Sequence, residues 1–266
     1  MRRTLALSLA LSLSLGLLSG CGPAAPAVQA QELTAQPVSV QPAGSPAVDQ
    51  ALTSFGLSLL QSAREAESGP VLLSPLSAAL ALSMAANGAD GDTLAQFETV
   101  LGGGVTLDEL NAACAQLLSD YGDLDGSTEC LIANSLWTDP EGMIREDFIG
   151  KCQGIFDAQV FSQDLSAPSV VPAVNSWVSE HTNKMIPSIL SEPFNENAAL
   201  LLVNALYLKN TWETEFDPNN TYLRGFYHQG SDKESMDFLN AGFVTFPYLQ
   251  SETAQGAVLP YDDGRL

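Results

Sequence analysis

The stretch LLLVNALYLKNTW, residues 200–212, places one carboxamide, Asn204, in the middle of an otherwise apolar run. Residues 199–208 are apolar at odd and even positions alike, which predicts a strand covered on both faces and central to its sheet. A buried amide without a partner costs about 1–3 kcal/mol, so Asn204 must be bonded to something. A second stretch, VLLSPLSAALALSMAANGADGDT at 71–93, offers candidates. Ser74 reads as a helix N-cap with Pro75 at the first helical position, and Ser77 stands one turn in. The helix they open is apolar all round and belongs in the centre of a domain. Two hydroxyls at its mouth could serve Asn204. One capping serine and one separately satisfied core amide would explain the same residues, and local sequence does not choose between the two.

Outward from these segments, helices and strands segregate. Ser45-Pro46 starts a helix with Val48, Leu52, Phe55 and Leu59 on one face. Pro70–Leu73 reads as a short buried strand. A helix beginning at Asp92 turns Leu94, Phe97 and Leu101 inward and stops at Gly102. Thr106-x-x-Glu109 is a capping box that opens a further helix. ECLIANSLWT (129–138) is strand-like, as is AQVFSQDL (158–165), with a short helix carrying Phe148, Cys152 and Phe156 between them. Residues 170–190 form an amphipathic helix with Val174, Trp177, Val178 and Met185 on its apolar face. Beyond 220 the pattern is mostly β, in TYLRGFYH, GFVTFPYLQ and TAQGAVLPY. Early helices followed by strands predict an α+β fold, an N-terminal helical cluster packed on a large mixed β-sheet.

The N-terminus carries an address. Met1-Arg2-Arg3 precedes an uncharged Leu/Ala/Ser run and then Leu18-Ser19-Gly20-Cys21. That run is too short for a comfortable membrane span. The order resembles a bacterial lipoprotein signal, in which Cys21 receives the lipid; an ordinary signal peptide cut near Ala30 is the plainer alternative. Residues 1–21 are thus read as signal, residues 22–46 as a flexible Pro/Ala-rich tether, and 47–266 as the folded part. At roughly 3.1 Å per residue the tether would reach about 80 Å. The expected location is the outer face of the cell membrane, held by lipid alone.

Charge narrows the partners. The chain of 266 residues has 31 acidic against 10 basic side chains, net −21, and no window clusters Lys or Arg. Nucleic acid and heparin-like polyanions are therefore unsuitable partners. Past Cys21, the three cysteines Cys114, Cys130 and Cys152 allow one disulfide at most and read as small apolar side chains. The only histidines, His181 and His228, lie far apart and no Cys-x-x-Cys occurs, so neither a zinc site nor another cofactor is expected. There is no G-x-S-x-G elbow and no phosphate loop, which speaks against an enzyme. Asp123-x-Asp125-Gly126 lacks the remaining ligands of a calcium loop. Asn219-Asn220-Thr221 is a formal sequon, discounted beside a bacterial signal.

Six pieces in order resemble the serpins: Ser74-Pro-x-Ser77 running to Asn87-Gly-Ala-Asp-Gly-Asp-Thr93, Asn134-Ser-Leu-Trp137, Asn175-x-Trp-Val178 with Thr182-Asn183, Leu202 to Trp212, Phe216-Asp-Pro218, and Leu259-Pro-Tyr261. Asn210 and Lys184 stand where that family usually has Gly. The resemblance implies a serpin-like fold and a suicide inhibitor of a serine or cysteine protease. The protease cleaves an exposed loop, is held as an acyl-enzyme, and is distorted when the loop inserts into the main sheet. It further implies that Ser74, Ser77 and Asn204 meet at a hinge, the shutter, and that Lys209 and Trp212 mark the breach where insertion begins. No bait loop is legible before Leu266, so the C-terminal part of the fold is expected to be missing from this sequence. A non-inhibitory binding protein of the same fold, or an inactive fragment, is the alternative.

Overall fold

The structure, a computed structural model, describes residues 30–67, 69–124, 128–227, 233–242 and 244–266. Cys21 and His228 lie outside these residues. Four helices come first: α1 (Pro46–Ala66), α2 (Pro75–Ala86), α3 (Gly91–Gly102) and α4 (Leu107–Gly122). Their starts follow the local chemistry. Ser45 caps α1 ahead of Pro46, Ser74 caps α2 ahead of Pro75, and Asp90 caps α3. The Thr106–Glu109 capping box closes in both directions, Glu109 N–H to Thr106 Oγ1 at 3.3 Å and Thr106 N–H to Glu109 Oε2 at 3.0 Å.

The main sheet has four strands in the order β1-β3-β2-β4, with β1 at Gln31–Leu33, β2 at Glu129–Thr138, β3 at Ala158–Ser162 and β4 at Leu200–Lys209. β2 and β3 are parallel and joined through α5 (Glu146–Phe156); β2 and β4 are antiparallel over ten residue pairs, Glu129↔Lys209 to Thr138↔Leu200. Side chains alternate between two cores. Ile132, Leu136 and Leu202 join Leu80, Met84, Leu110, Ile149 and Phe156 on the face covered by α1–α5. Ala133, Trp137, Leu201, Val203 and Ala205 join Val170, Val174, Trp177 and Val178 of α6 (Val170–His181) on the other. Two hairpins follow, β5 (Tyr222–Tyr227) with β6 (Lys233–Phe238) and β7 (Tyr248–Gln250) with β8 (Gln255–Ala257).

Four expectations are corrected. β4 is covered on both faces as expected, but it is not central: among the described residues it pairs only with β2, and its outer edge is open. Pro70–Leu73 is not a buried strand, since Leu72 is 97% exposed and no described strand pairs with it. The helix expected over 170–190 ends at His181, where Thr182 turns back. Its hydroxyl donates to Val178 O and accepts from Ile186 N–H, and Asn183 and Lys184 adopt left-handed backbone (φ 47° and 64°).

The fourth correction concerns the tether. Residues 31–45 are docked as a strap along the body. β1 adds antiparallel to β3, and Gln153 of α5 grips the next turn of chain, accepting from Ala35 N–H at 3.0 Å and donating to Leu33 O at 2.9 Å. Val38 N–H reaches Gly150 O at 2.8 Å, and Ala43 N–H reaches Ala112 O at 3.1 Å. The strap lies so close to α5 that a Cβ on Gly150 would fall 2.4 Å from Gln36 O, and one on Gly154 2.3 Å from Val38 O. Leu33, Ala35 and Val40 cover the helical core. Periodicity could not reveal this, because an extended strap with few residues inward has neither helical nor strand repeat.

Candidate functional site

The site is built on the β2–β4 pair. Asn134 and Asn204 are directly opposite one another in the antiparallel register. Both are in phase with Leu136 and Leu202 and so face the helical core. Asn204 Nδ2 donates to Asn134 Oδ1 at 2.8 Å, and Asn134 Nδ2 donates to Phe156 O at 2.8 Å. Phe156 is the last residue of α5, whose carbonyl has no intrahelical partner; Asn134 supplies one. Asn134 is 1% exposed. Asn204 Oδ1 is also buried, and no donor among the described residues reaches it. The relay Asn204–Asn134–Phe156 thus ends on an unfilled acceptor in the middle of the strand with the open edge.

Ser74 and Ser77 do not complete this relay. Their hydroxyls bond each other at 2.8 Å, Ser74 Oγ also accepts Ser77 N–H at 3.3 Å, and Ser74 is exposed. α2 packs on the face of β4 that carries Asn204, but no hydrogen bond joins the serines to the amide. Asn134 takes the part expected of them, because a residue directly across the ladder is closer than a hydroxyl at a helix mouth. The signal for Asn134 was available: ECLIANSLWT holds a lone amide in a strand, just as LLLVNALYLK does.

On the opposite face α6 is held by a few polar contacts. Trp177 Nε1 donates to Gln159 Oε1 at 2.6 Å, and Trp177 stacks on His181 at 4.3 Å. Asn175 takes both Ile189 N–H and Leu190 N–H on Oδ1 at 2.8 and 2.9 Å and donates to Leu190 O at 2.8 Å. This ties the segment leading into β4 to α6.

At the far end of β4, Lys209 Nζ meets Glu129 Oε1 at 3.0 Å across the ladder, an exposed pair. Trp212 lies flat on Tyr261 (centroids 4.4 Å apart, 8° between planes) and edge-on to Phe216. Trp212 and Tyr261 also form a β-bridge, flanked by Asp262 N–H to Thr211 O and Glu213 N–H to Pro260 O. Asp263 binds the residues around this end. It accepts from Leu266 and Arg265 N–H, from Thr128 Oγ1 at 2.7 Å and from Asn210 Nδ2. These donors, Leu266 N–H foremost, hold its carboxyl down at about 2. Sequence reading missed Asp263, whose partners come from three separate parts of the chain.

Among the described residues Cys114, Cys130 and Cys152 are unpaired. Burial pushes the thiols of Cys114 and Cys152 up to about 11 and about 12, and raises that of the half-buried Cys130. Burial thus disfavours the thiolate form at these three cysteines. Among the described residues no group of His, Cys, Asp and Glu is arranged to hold a metal, and no helix is long and apolar enough to cross a membrane.

Comparison with known proteins agrees with this geometry. Residues 50–266 match the family model described as serpin (serine protease inhibitor). Iripin-8 of Ixodes ricinus is 30% identical over 227 residues, 77% of this chain and 56% of that protein. Neuroserpin of Gallus gallus is 34% identical over 174 residues, 63% of this chain and 41% of that protein. The crystal structure of the thermophilic serpin tengpin in its native state superposes with a TM-score of 0.77 at 28% identity, over 89% of this chain and 61% of tengpin. Tengpin in its latent state gives 0.74. The chain spans about half the length of the curated relatives it matches.

Proposed function

Because the chain belongs to the serpin family, whose members are in general protease inhibitors, we propose that it forms the strand-accepting body of an inhibitor of a serine or cysteine protease. The observation that carries this reading is the Asn204–Asn134–Phe156 relay at the middle of β4, a strand whose outer edge is paired by no described strand and whose Asn204 Oδ1 is reached by no donor among the described residues. An extended segment laid along Leu200–Lys209 would pair with the outward-facing backbone groups, each bond contributing roughly 1 kcal/mol net. A donor carried on that segment could fill Asn204 Oδ1. The Asn134–Asn204 bond lets β4 shift against β2 with less penalty than interlocked methyl groups would, since amides re-pair as they slide. Asn134 and Asn204 are thus assigned the shutter, with Ser74 and Ser77 capping the helix beneath it. Lys209 and Trp212, at the end of β4, are assigned the breach.

In this reading the protease meets a reactive loop that is not among the described residues. The protease's nucleophile attacks a loop carbonyl there, forms the acyl-enzyme and releases the amine of the following residue. The freed loop then adds to β4 before water can hydrolyse the ester or thioester. The protein acts once per protease molecule and is not a catalyst. That tengpin is known in native and latent states supports two packings of one such fold. The anchoring at Cys21 and the outer-membrane-face location are part of the same proposal, supported by the Leu18-Ser-Gly-Cys21 order.

The test is to incubate the protein, extended to include its loop, with a panel of serine and cysteine proteases. A complex that survives boiling in SDS is the expected result. Complete turnover of the loop without a complex, across the panel, contradicts the inhibitor and leaves a substrate or binding protein.

A further inference from the structure

A cavity of about 760 Å³ lies at the end of the main sheet where β2 stops and β4 starts, bordered by the paired residues Thr138 and Leu200. Its other walls are the turn after α2 at Asn87–Ala89, the start of α3, the loop joining β2 to α5, and α5 itself. Its volume falls in the range of about 300–1,000 Å³ that small-molecule sites occupy. Phe97, Met143, Ile144, Phe148 and Leu200 give it an apolar wall. Met143 is fully exposed there, and Leu200 is 40% exposed. The walls are held in place by close contacts. A Cβ on Gly88 would lie 3.2 Å from the Phe148 ring, and one on Gly142 3.0 Å from Asp139 O. Gly142 N–H also closes the loop onto Asp139 O at 2.9 Å.

Charge selects what this cavity takes. Arg145 and Lys151 line it, in a chain with only 10 basic residues and a net charge of −21. The adjoining groove, by contrast, carries Asp139, Glu141, Asp164 and Glu196 and no basic side chain. The two carboxylates that share the cavity with Arg145 and Lys151 are already engaged. Asp147 accepts from Arg145 Nε and Nη2 at 2.8 and 3.3 Å, and Asp90 Oδ1 accepts from Gly91 N–H at 2.8 Å. Lys151 is half-buried and one turn beyond Asp147 on α5, and it makes no hydrogen bond or ion pair among the described residues. We propose that this cavity binds a small amphipathic acid, its alkyl or aryl body against Phe97, Met143, Phe148 and Leu200 and its carboxylate on Lys151. Removing the apolar wall and the ligand body from water supplies the driving force. The lysine supplies the choice of head group: a cation is repelled by it, a neutral group leaves it unanswered, and a carboxylate gives it a charge-assisted hydrogen bond. The site involves neither Asn204 nor the outer edge of β4, so it stands whether or not the chain inhibits a protease.

The test uses the 266-residue chain labelled with carbon-13 at its methionine methyl groups. Octanoate, kept below its micellar concentration, is the probe, with octanol and octyltrimethylammonium as its neutral and cationic counterparts. Met143 reports the cavity. Met185 and Met236, 72% and 43% exposed elsewhere on the molecule, report adsorption to other apolar surface, and the fully buried Met84 reports that each variant is folded. Octanoate is expected to shift Met143 saturably while Met185 and Met236 stay in place, and to bind about tenfold or more tighter than either counterpart. Lys151→Gln should weaken octanoate by about tenfold and leave octanol unchanged. Thr93→Trp, at an exposed position in the first turn of α3 that lines the cavity, should fill it and abolish the Met143 shift. Either variant alone decides if the other loses the buried Met84 signal. Equal affinity for the three head groups, octanoate binding unchanged by Lys151→Gln, or a Met143 shift that survives Thr93→Trp overturns the proposal. So does movement of Met185 and Met236 at the same concentrations as Met143, which marks adsorption alone.

Discussion

Asn134 carries two bonds of the relay, so Asn134→Ala strands both the Asn204 amide and the Phe156 carbonyl. A loss of about 1–3 kcal/mol is expected for a buried group left unpaired, measured as a lower urea midpoint; Ser77→Ala, at a half-exposed hydroxyl bonded only to Ser74, should change it far less. Lys184 holds φ 64° on an exposed turn. Removing its Cβ relieves left-handed strain, so Lys184→Gly should raise stability by about 1 kcal/mol, seen as a higher melting temperature. Asp263 gives a pH signature. Its folded carboxyl is depressed to about 2 from 3.8, so its stabilising contribution is present above about pH 4 and disappears as pH falls toward 2. The stability difference between wild type and Asp263→Asn should therefore shrink across that window; a difference that is flat from pH 5 to pH 2 would exclude the carboxylate as the tie. Asn204 was legible because one amide in an apolar strand is conspicuous. Its partner was misassigned to Ser74 and Ser77, since strand register, which brings Asn134 across, is not written in either strand alone.

At the scale of elements, caps and turns were the most legible features. Ser45-Pro46, Ser74-Pro75 and Thr106-x-x-Glu109 act through bonds within four residues, and the structure makes each of them. Thr106→Ala should cost about 1 kcal/mol by removing one side of the box, with α4 fraying first in amide exchange. What sequence reading did not supply is what depends on neighbours. Asn87 and Asn111 bond reciprocally at 2.8 and 2.9 Å and lock α2 to α4, yet they are 24 residues apart. The strap was read as a tether because its fixing groups, Gln153, Gly150 and Gly154, belong to a helix more than a hundred residues later. The strand at 199–208 was read as central from its two apolar faces, and those faces are indeed covered by α2 and α6; its open edge is a property of pairing, which hydropathy does not report.

Among the described residues the two edges of the main sheet differ. Beyond β3, the edge carries β1 and the strap; beyond β4, no described strand follows. Exposed apolar side chains gather on the later hairpins, Leu223, Phe226 and Tyr227 of β5, Met236 of β6, Tyr248 and Leu249 of β7. The α+β class and the order of the pieces were visible in sequence because they depend on composition along the chain. The asymmetry of the sheet was not, because it depends on which segments meet. That asymmetry is the core of the functional reading and can be measured directly. An extended peptide of alternating Thr and Val or Ala is added to the protein, and amide hydrogen exchange is followed residue by residue. Pairing at the open edge predicts new protection of the alternate amides of Leu200–Lys209 that point away from β2, with little change in β3. Unchanged exchange in β4 under saturating peptide, or protection appearing only at β3 and the strap, would contradict a strand-accepting edge at Asn204.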